Sequence, residues 1–457
     1  MMKQQLLKSG FWVMNGKVAG ALIGLAINVV LARVLTPEGF GSYFLFFSVV
    51  TIAAVVAQLG LGQAAVRLIA ESMAAGQSDR AGSAVRLVLI WGLAGATLTI
   101  VIIESGVGRW IATDMVRSPM LARVMWISAP FIVLAAVQGL LVEIMRGYHR
   151  IGLATIFGEF GTSAIAALLF IAVWAASVPV DLDTILYLSL VAAVVGVALA
   201  GVTVFRQTPY RDSRLGHVSA PLGLHRVYEI AFPLYVVNLT AFIPSQLDIW
   251  VIGAFRPATE VAQYAAAFRL AVLILVPLRI VSAVMAPTIA RMHAQGKLPE
   301  IETALRGGAT AASTLTLAAL VVFLVAGDKV LALIYGGYYR EAWLVLVILA
   351  SANAVNVLAG SCVMVLSMTG YQKQLMHITL VTGLIGLIVS LVLIQFIGAT
   401  GVALGTAAGV VGRNLAALYI VERKLHVRTF IQPSTIRHWR QLFAWNREAP
   451  VSKAADW

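Results

Sequence analysis

The chain has 457 residues, 60% of them hydrophobic and 12% charged, with a mean hydropathy of +0.91. Such a composition excludes a soluble globular domain, and its apolar runs repeatedly reach the ~20 residues needed to cross a bilayer. The formal net charge of +13 would suggest nucleic acid in a soluble chain, but in a polytopic one basic cytoplasmic loops account for it, so no nucleic-acid partner is expected.

The first stretch, residues 10–67, reads as two apolar runs turned around at Leu35-Thr36-Pro37-Glu38-Gly39, a helix-stopping sequence. The first run is too long for the apolar region of a cleaved signal peptide, and a second follows almost at once, so neither is expected to be removed. Ten further spans follow, giving twelve near 11–34, 42–66, 85–103, 120–144, 153–176, 184–205, 230–254, 264–287, 309–326, 343–366, 376–397 and 401–421. The expected fold is therefore an all-α polytopic membrane protein. The single cysteine, Cys362, lies in an apolar run, so no disulfide framework is available within one chain.

Lys and Arg between the spans set the orientation. One set of loops holds Arg67, Arg80, Arg86, Arg146, Arg150, Arg206, Arg211, Arg214 and Arg226, then Arg291, Lys297, Arg306 and Lys373. The other holds little beyond Arg109, Arg117, Arg256, Lys329 and Arg340. This bias places both termini in the cytoplasm.

Residues 1–205 make a first six-span lobe, and 206–228, with Pro209, Pro221 and several arginines, a basic cytoplasmic linker. Residues 229–423 make a second six-span lobe, and 424–457 a basic cytoplasmic tail in which Ile436, Trp439 and Phe443 suit either an interfacial helix or a disordered end. The lobes read as copies of one another. At an offset of 220 residues Pro37 falls on Pro257, Gly76 on Gly296 and Arg86 on Arg306, and Gly147-Tyr148-His149-Arg150 echoes Gly370-Tyr371-Gln372-Lys373. Six spans repeated in the same orientation form a parallel repeat, and in transporters built this way the substrate site lies between the repeats.

Charge at membrane depth is the next signal, because each such residue costs roughly 2.5–3.5 kcal/mol on insertion scales and so rarely faces lipid. Lys17, Arg269, Arg279 and Arg413 lie inside spans, with Arg33 and Arg123 near their outer ends. Lys17 shares a helical face with Ala21, Gly24 and Asn28, a small polar stripe, although a snorkelling lysine is the plainer alternative. Arg413 follows Gly401, Gly405 and Gly409 in steps of four, and such glycine stripes mark close helix approach, so Arg413 is expected to point inward. Arg269 and Asp248 sit at similar depth in adjacent spans and suit either a structural ion pair or a functional one. Arg279 has no acid of matching depth in its neighbouring spans. Acids are scarce, with Glu143 and Glu159 near the cytoplasmic ends of spans 4 and 5. The net positive balance favours an anionic passenger.

Pro130, Pro233, Pro244, Pro277 and Pro287 fall inside spans and should kink them, either to fit the bundle or as hinges. No G-x-x-x-x-G-K-[ST] motif is present, so ATP binding is not expected, and no H-E-x-x-H or Cys/His cluster suggests a metal. No outside loop is long enough for a glycosyltransferase or ligase site.

The run from Leu31 to Tyr43, LARVLTPEGFGSY, resembles the signature of polysaccharide-type (Wzx-like) flippases of the multidrug/oligosaccharidyl-lipid/polysaccharide (MOP) exporter superfamily. Gln58-Leu59-Gly60-Leu61-Gly62, Met145-Arg146-Gly147-Tyr148 and Ala231-Phe232-Pro233-Leu234 fit the same pattern, and the likeness extends to about Glu422. The resemblance implies two six-helix lobes around a V-shaped central cavity and a non-enzymatic protein of the bacterial inner membrane. It implies alternating-access transfer of undecaprenyl-pyrophosphate-linked oligosaccharide to the periplasm, for O-antigen, capsule or exopolysaccharide assembly. Polymerase and chain-length machinery would be downstream partners. It also implies cationic cavity residues facing the pyrophosphate, a role that falls to Lys17, Arg279 and Arg413, with Arg269 beside them. No cofactor is expected beyond a coupling ion, H+ or Na+, for which Asp248, Glu143 and Glu159 are candidates. A cation-coupled multidrug antiporter of the same superfamily is the alternative, as is a membrane-embedded polysaccharide polymerase or ligase. The antiporter would require cavity acids, and the polymerase or ligase a substantial outside loop.

Overall fold

The computed structural model describes residues 2–177, 180–207, 244–282 and 298–425, with a few isolated positions between 229 and 289 and between 427 and 430. Most of the expected linker and almost all of the expected tail, including 436–443, lie outside the described residues, as do Pro233 and Pro287.

Every regular element among the described residues is helical. They are α1 (Met2–Val34), α2 (Pro37–Ala57), α3 (Leu61–Ala74), α4 (Ser78–Met115), α5 (Pro119–Gly147), α6 (Ile151–Ala175) and α7 (Leu182–Gln207). Then come α8 (Pro244–Phe255), α9 (Ala258–Leu273), α10 (Val276–Ser282) and α11 (Leu298–Tyr335). The last are α12 (Gly337–Leu358), α13 (Cys362–Met368), α14 (Gln372–Ile397) and α15 (Ala399–Leu425). Among them 9 helices are long and apolar enough to cross a membrane, or 10 if the bent pair α9–α10 is one span, and Val18–Val34 and Gln246–Phe255 are shorter apolar helices. Each of the twelve spans expected from sequence overlaps one of these, although much of 230–243 and of 283–287 lies outside the described residues. The protein is an all-α, multi-pass membrane protein.

Local chemistry explains the boundaries. Thr36 caps α2, its Oγ1 accepting the Gly39 N–H at 3.1 Å, and Pro37 opens the helix where no N–H partner is needed. The 35–39 turn thus starts the second helix as much as it stops the first. The span expected over 42–66 is instead two helices. Leu59 and Gly60 both take positive φ (49° and 73°), which ends α2 and redirects the chain into α3. The third span is longer than expected because helical backbone continues to Met115 past a kink at Gly106, whose φ is 124°.

Packing divides the chain into two compact units. The first comprises Met1–Arg269, Asp328–Val345 and Val389–Ala403, and the second Leu270–Gly327, Leu346–Ile388 and Leu404–Trp457. In the first, Leu68, Ile69, Val88, Leu140 and Ile144 are buried where α3, α4 and α5 meet. In the second, Cys362, Leu366, Ala417 and Val421 form a core between α13 and α15.

Candidate functional site

Within the first unit, the end of the bundle that bears the 35–39 turn joins early and late parts of the chain. The Arg33 guanidinium donates to the Leu333 and Ile334 carbonyls at the C-terminal end of α11. Arg256 Nη2 donates to the Ile394 carbonyl at 2.8 Å, closing the end of α14, and Glu260 Oε2 accepts the Ala399 N–H at 3.2 Å at the start of α15. Cations at helix C-termini and a carboxylate at an N-terminus match the helix dipoles. The Phe40 and Tyr339 rings meet edge-on at 5.8 Å, and Trp250 donates to Ser48 Oγ at 2.9 Å. At Gly41 the approach is closest, since an added Cβ would lie 1.7 Å from the Ala258 carbonyl oxygen.

Beneath these contacts lies Arg269. Its guanidinium stands 5.5 Å from the centre of the Phe44 ring, and the ionisable groups acting on it are Tyr43 and Tyr335. Arg269 keeps accessible surface although the Phe44 ring packs against it. Among the described residues it has no carboxylate at ion-pair distance. The ion pair with Asp248 that the sequence allows is therefore not formed. Asp248 Oδ2 instead accepts the Tyr264 hydroxyl at 2.8 Å. The Tyr335 hydroxyl is buried without a partner.

The first unit also holds a cavity of about 540 Å³ among α1, α2, α5, α6 and α7. Glu143 and Arg146 line it and pair with one another, their side chains 22% and 44% exposed. Arg123, near the same span's other end, pairs with Asp183.

In the second unit, α9 and α10 meet at a 47° bend just before Pro277. Proline offers no N–H to the preceding turn, which is the kink expected from sequence. Neighbouring helices satisfy the disturbed carbonyls. Leu275 N–H turns to Val272, and Asn353 Nδ2 donates to the Ala271 carbonyl at 3.1 Å. Thr316 Oγ1 donates to the Ile274 carbonyl, also at 3.1 Å. Inside hydrocarbon a broken helix is tolerated only with such partners. Arg279 follows the bend by one turn and is exposed, so the bend sets its direction.

Arg413 lies on α15, half-buried, and its Nε has no hydrogen-bond partner. Among the described residues no carboxylate pairs with it. Gly405 and Gly409 of the stripe preceding it pack against Gly386 on α14. Lys17 and Glu159 occupy α1 and α6, and their side chains lie outside the described residues. Arg269 and Arg413 thus belong to different units, and Arg279 to the same unit as Arg413. Sequence reading missed Tyr43, Tyr335 and the cavity glutamines, whose only signal was a polar group inside an apolar span.

A family model described as "Polysaccharide biosynthesis protein" matches residues 6–293, more than half of the chain. The chain belongs to that family. A curated relative, the "Probable low-salt glycan biosynthesis flippase Agl15" of Haloferax volcanii, is 23% identical over 408 residues, covering 88% of this chain and 80% of that protein. Among solved structures, the inward-facing form of a multidrug resistance MATE family transporter of the MOP superfamily superposes with a TM-score of 0.71 at 16% identity, over 94% of this chain and 96% of that one. The outward-facing form of such a transporter gives 0.60 at 16% identity, covering 98% and 97%. The Vibrio cholerae MATE transporter VcmN in its bent form gives 0.58 at 17% identity, covering 93% and 97%. This member of the polysaccharide biosynthesis protein family therefore has the fold of these MATE transporters.

Proposed function

We propose that this protein is a flippase that carries a polyprenyl-diphosphate-linked oligosaccharide, undecaprenyl-linked in a bacterium, from the cytoplasmic to the outer leaflet. Family membership and the likeness to a glycan flippase support this reading. The observation that carries it is the pair of intramembrane arginines, Arg269 and Arg413, that lack carboxylate partners among the described residues. A cation left unpaired at that depth is costly to the fold and suits an anionic passenger. In this reading Lys17, Arg279, Arg413 and Arg269 attract the diphosphate, the sugars follow through wet space and the prenyl tail stays in lipid.

In this reading the contacts around Gly41 form the outer gate, and both termini lie on the cytoplasmic side of an inner membrane. Lobes 1–205 and 229–423 alternate access by rocking, with α9–α10 bending at Pro277. Coupling to H+ or Na+ falls to Asp248, Glu143 or Glu159. The product feeds polymer assembly, with a polymerase and chain-length machinery downstream.

The antiporter reading shares the fold, but the described charge in the spans is mainly cationic, which favours the flippase. Deleting the gene from its host should remove the surface glycan and leave its lipid-linked repeat unit in the cytoplasmic leaflet, measured by lipid extraction and leaflet-specific labelling. Loss of glycan with no trapped repeat unit would contradict the proposal and point to synthesis instead.

A further inference from the structure

The cavity of about 540 Å³ within the first unit is of a size that holds a small ligand. Among the described residues its lining is neutral in sum, because the carboxylate and the guanidinium there, Glu143 and Arg146, are paired with each other. A metal cation would have to compete with Arg146, and an anion with Glu143.

What remains is aliphatic and aromatic surface, with amides and hydroxyls set into it. α6 has a π-helical turn at Ile156–Phe160, and Gln138 Nε2 donates to the Phe157 carbonyl there at 2.7 Å. That bond fixes the amide, so the acceptor Gln138 Oε1 points elsewhere, and it has no partner. Thr162 Oγ1, one turn beyond, is also buried without a partner. π-helical turns of this kind recur at functional sites. Gln58, at the end of α2, reaches in over Gly139, where an added Cβ would lie 2.6 Å from its Nε2. Phe47, Phe131 and Phe157 supply flat apolar walls, with Phe47 and Phe131 5.3 Å apart. The cavity lining includes Gly158 and Arg146, which are both exposed.

Unpaired buried acceptors call for hydroxyl donors, the amides and hydroxyls call for groups that both donate and accept, and aromatic walls suit the C–H face of a ring. We infer that this cavity is a subsite for a neutral sugar residue of the lipid-linked oligosaccharide, with Gln58, Gln138 and Thr162 as its hydrogen-bonding groups. The inference rests on the flippase reading and adds to it a place where the glycan, as distinct from the diphosphate, is recognised.

The test uses the full chain in proteoliposomes with two probes, undecaprenyl diphosphate carrying one N-acetylhexosamine and undecaprenyl diphosphate alone. Gln138→Leu and the isosteric Thr162→Val should each slow transfer of the glycosylated lipid about tenfold, the loss of roughly one hydrogen bond. Transfer of the bare lipid should be unchanged. If both lipids slow equally, the residues only support the fold. If neither slows, the cavity holds water only. If transfer of both lipids depends on sodium and Gln138→Leu removes that dependence, the cavity is a cation site. Each of these three outcomes overturns the inference. A wild-type protein that moves neither lipid would instead overturn the flippase reading. Thermal unfolding in detergent checks that both variants fold, and Thr162→Val tests the subsite alone if the leucine variant does not.

Discussion

Replacing Gly41 with valine should abolish glycan export while leaving the protein inserted in the membrane. Gly41 is the fifth residue of α2, buried against the turn between α8 and α9. Even an alanine Cβ there would lie 1.7 Å from the Ala258 carbonyl oxygen and 2.6 Å from its carbon. Those atoms are backbone, so no side chain can swing aside, and α2 and the 255–258 turn must separate. Overpacking of this kind costs about 1–3 kcal/mol, which shifts a two-state gate by about 5- to 150-fold toward its open form. In the proposed cycle a gate that cannot close on the outer side cannot reload from the cytoplasm. Export in a complemented deletion strain, set against membrane-fraction immunoblots, measures the effect. Normal export would mean that the Gly41 contact is packing without a gating role.

The second large effect concerns Arg413. Arg413→Met should cut export at least tenfold while leaving thermal stability unchanged or raised, and Arg413→Lys should restore part of the export. The guanidinium is half-buried, its Nε lacks a partner, and the apolar methionine removes that desolvation cost while filling similar volume. Replacing buried charge by well-packed apolar residues is often neutral or stabilising by about 1–4 kcal/mol. A residue kept only for packing would show the opposite pattern, with stability lost and export lost in proportion. Thermal unfolding in detergent, paired with export in the deletion strain, separates the two.

Much of the fold was legible because its causes are local. The helix-stopping run Leu35–Gly39, the Pro277 kink and the apolar spans each follow from a few adjacent residues, and among the described residues a helix overlaps each expected span. The split of the second span was not legible. Leu59 takes a left-handed conformation that leucine seldom adopts, and the flanking apolar residues hid the break. The arginines were visible because charge in an apolar run stands out from any scale. Their surroundings were not. Tyr335 reaches Arg269 from a distant helix, and Asp248 turned out to serve Tyr264 instead. The sugar cavity was invisible for a different reason. A π-helical turn shifts the register of α6, so a regular 3.6-residue reading does not turn Thr162 toward the cavity that Gln138 also lines.

In the proposed cycle the intramembrane cations carry a diphosphate-linked glycolipid across the bilayer. The most direct measurement reconstitutes purified protein with fluorescent undecaprenyl-diphosphate-linked oligosaccharide and follows its transfer between leaflets. Wild-type protein should transfer the glycolipid, with no comparable transfer of phosphatidylcholine, and Arg413→Met should do so at a rate at least tenfold lower. Wild-type protein that leaves the glycolipid in place, or that moves it no faster than the arginine-deficient variant, would contradict the account.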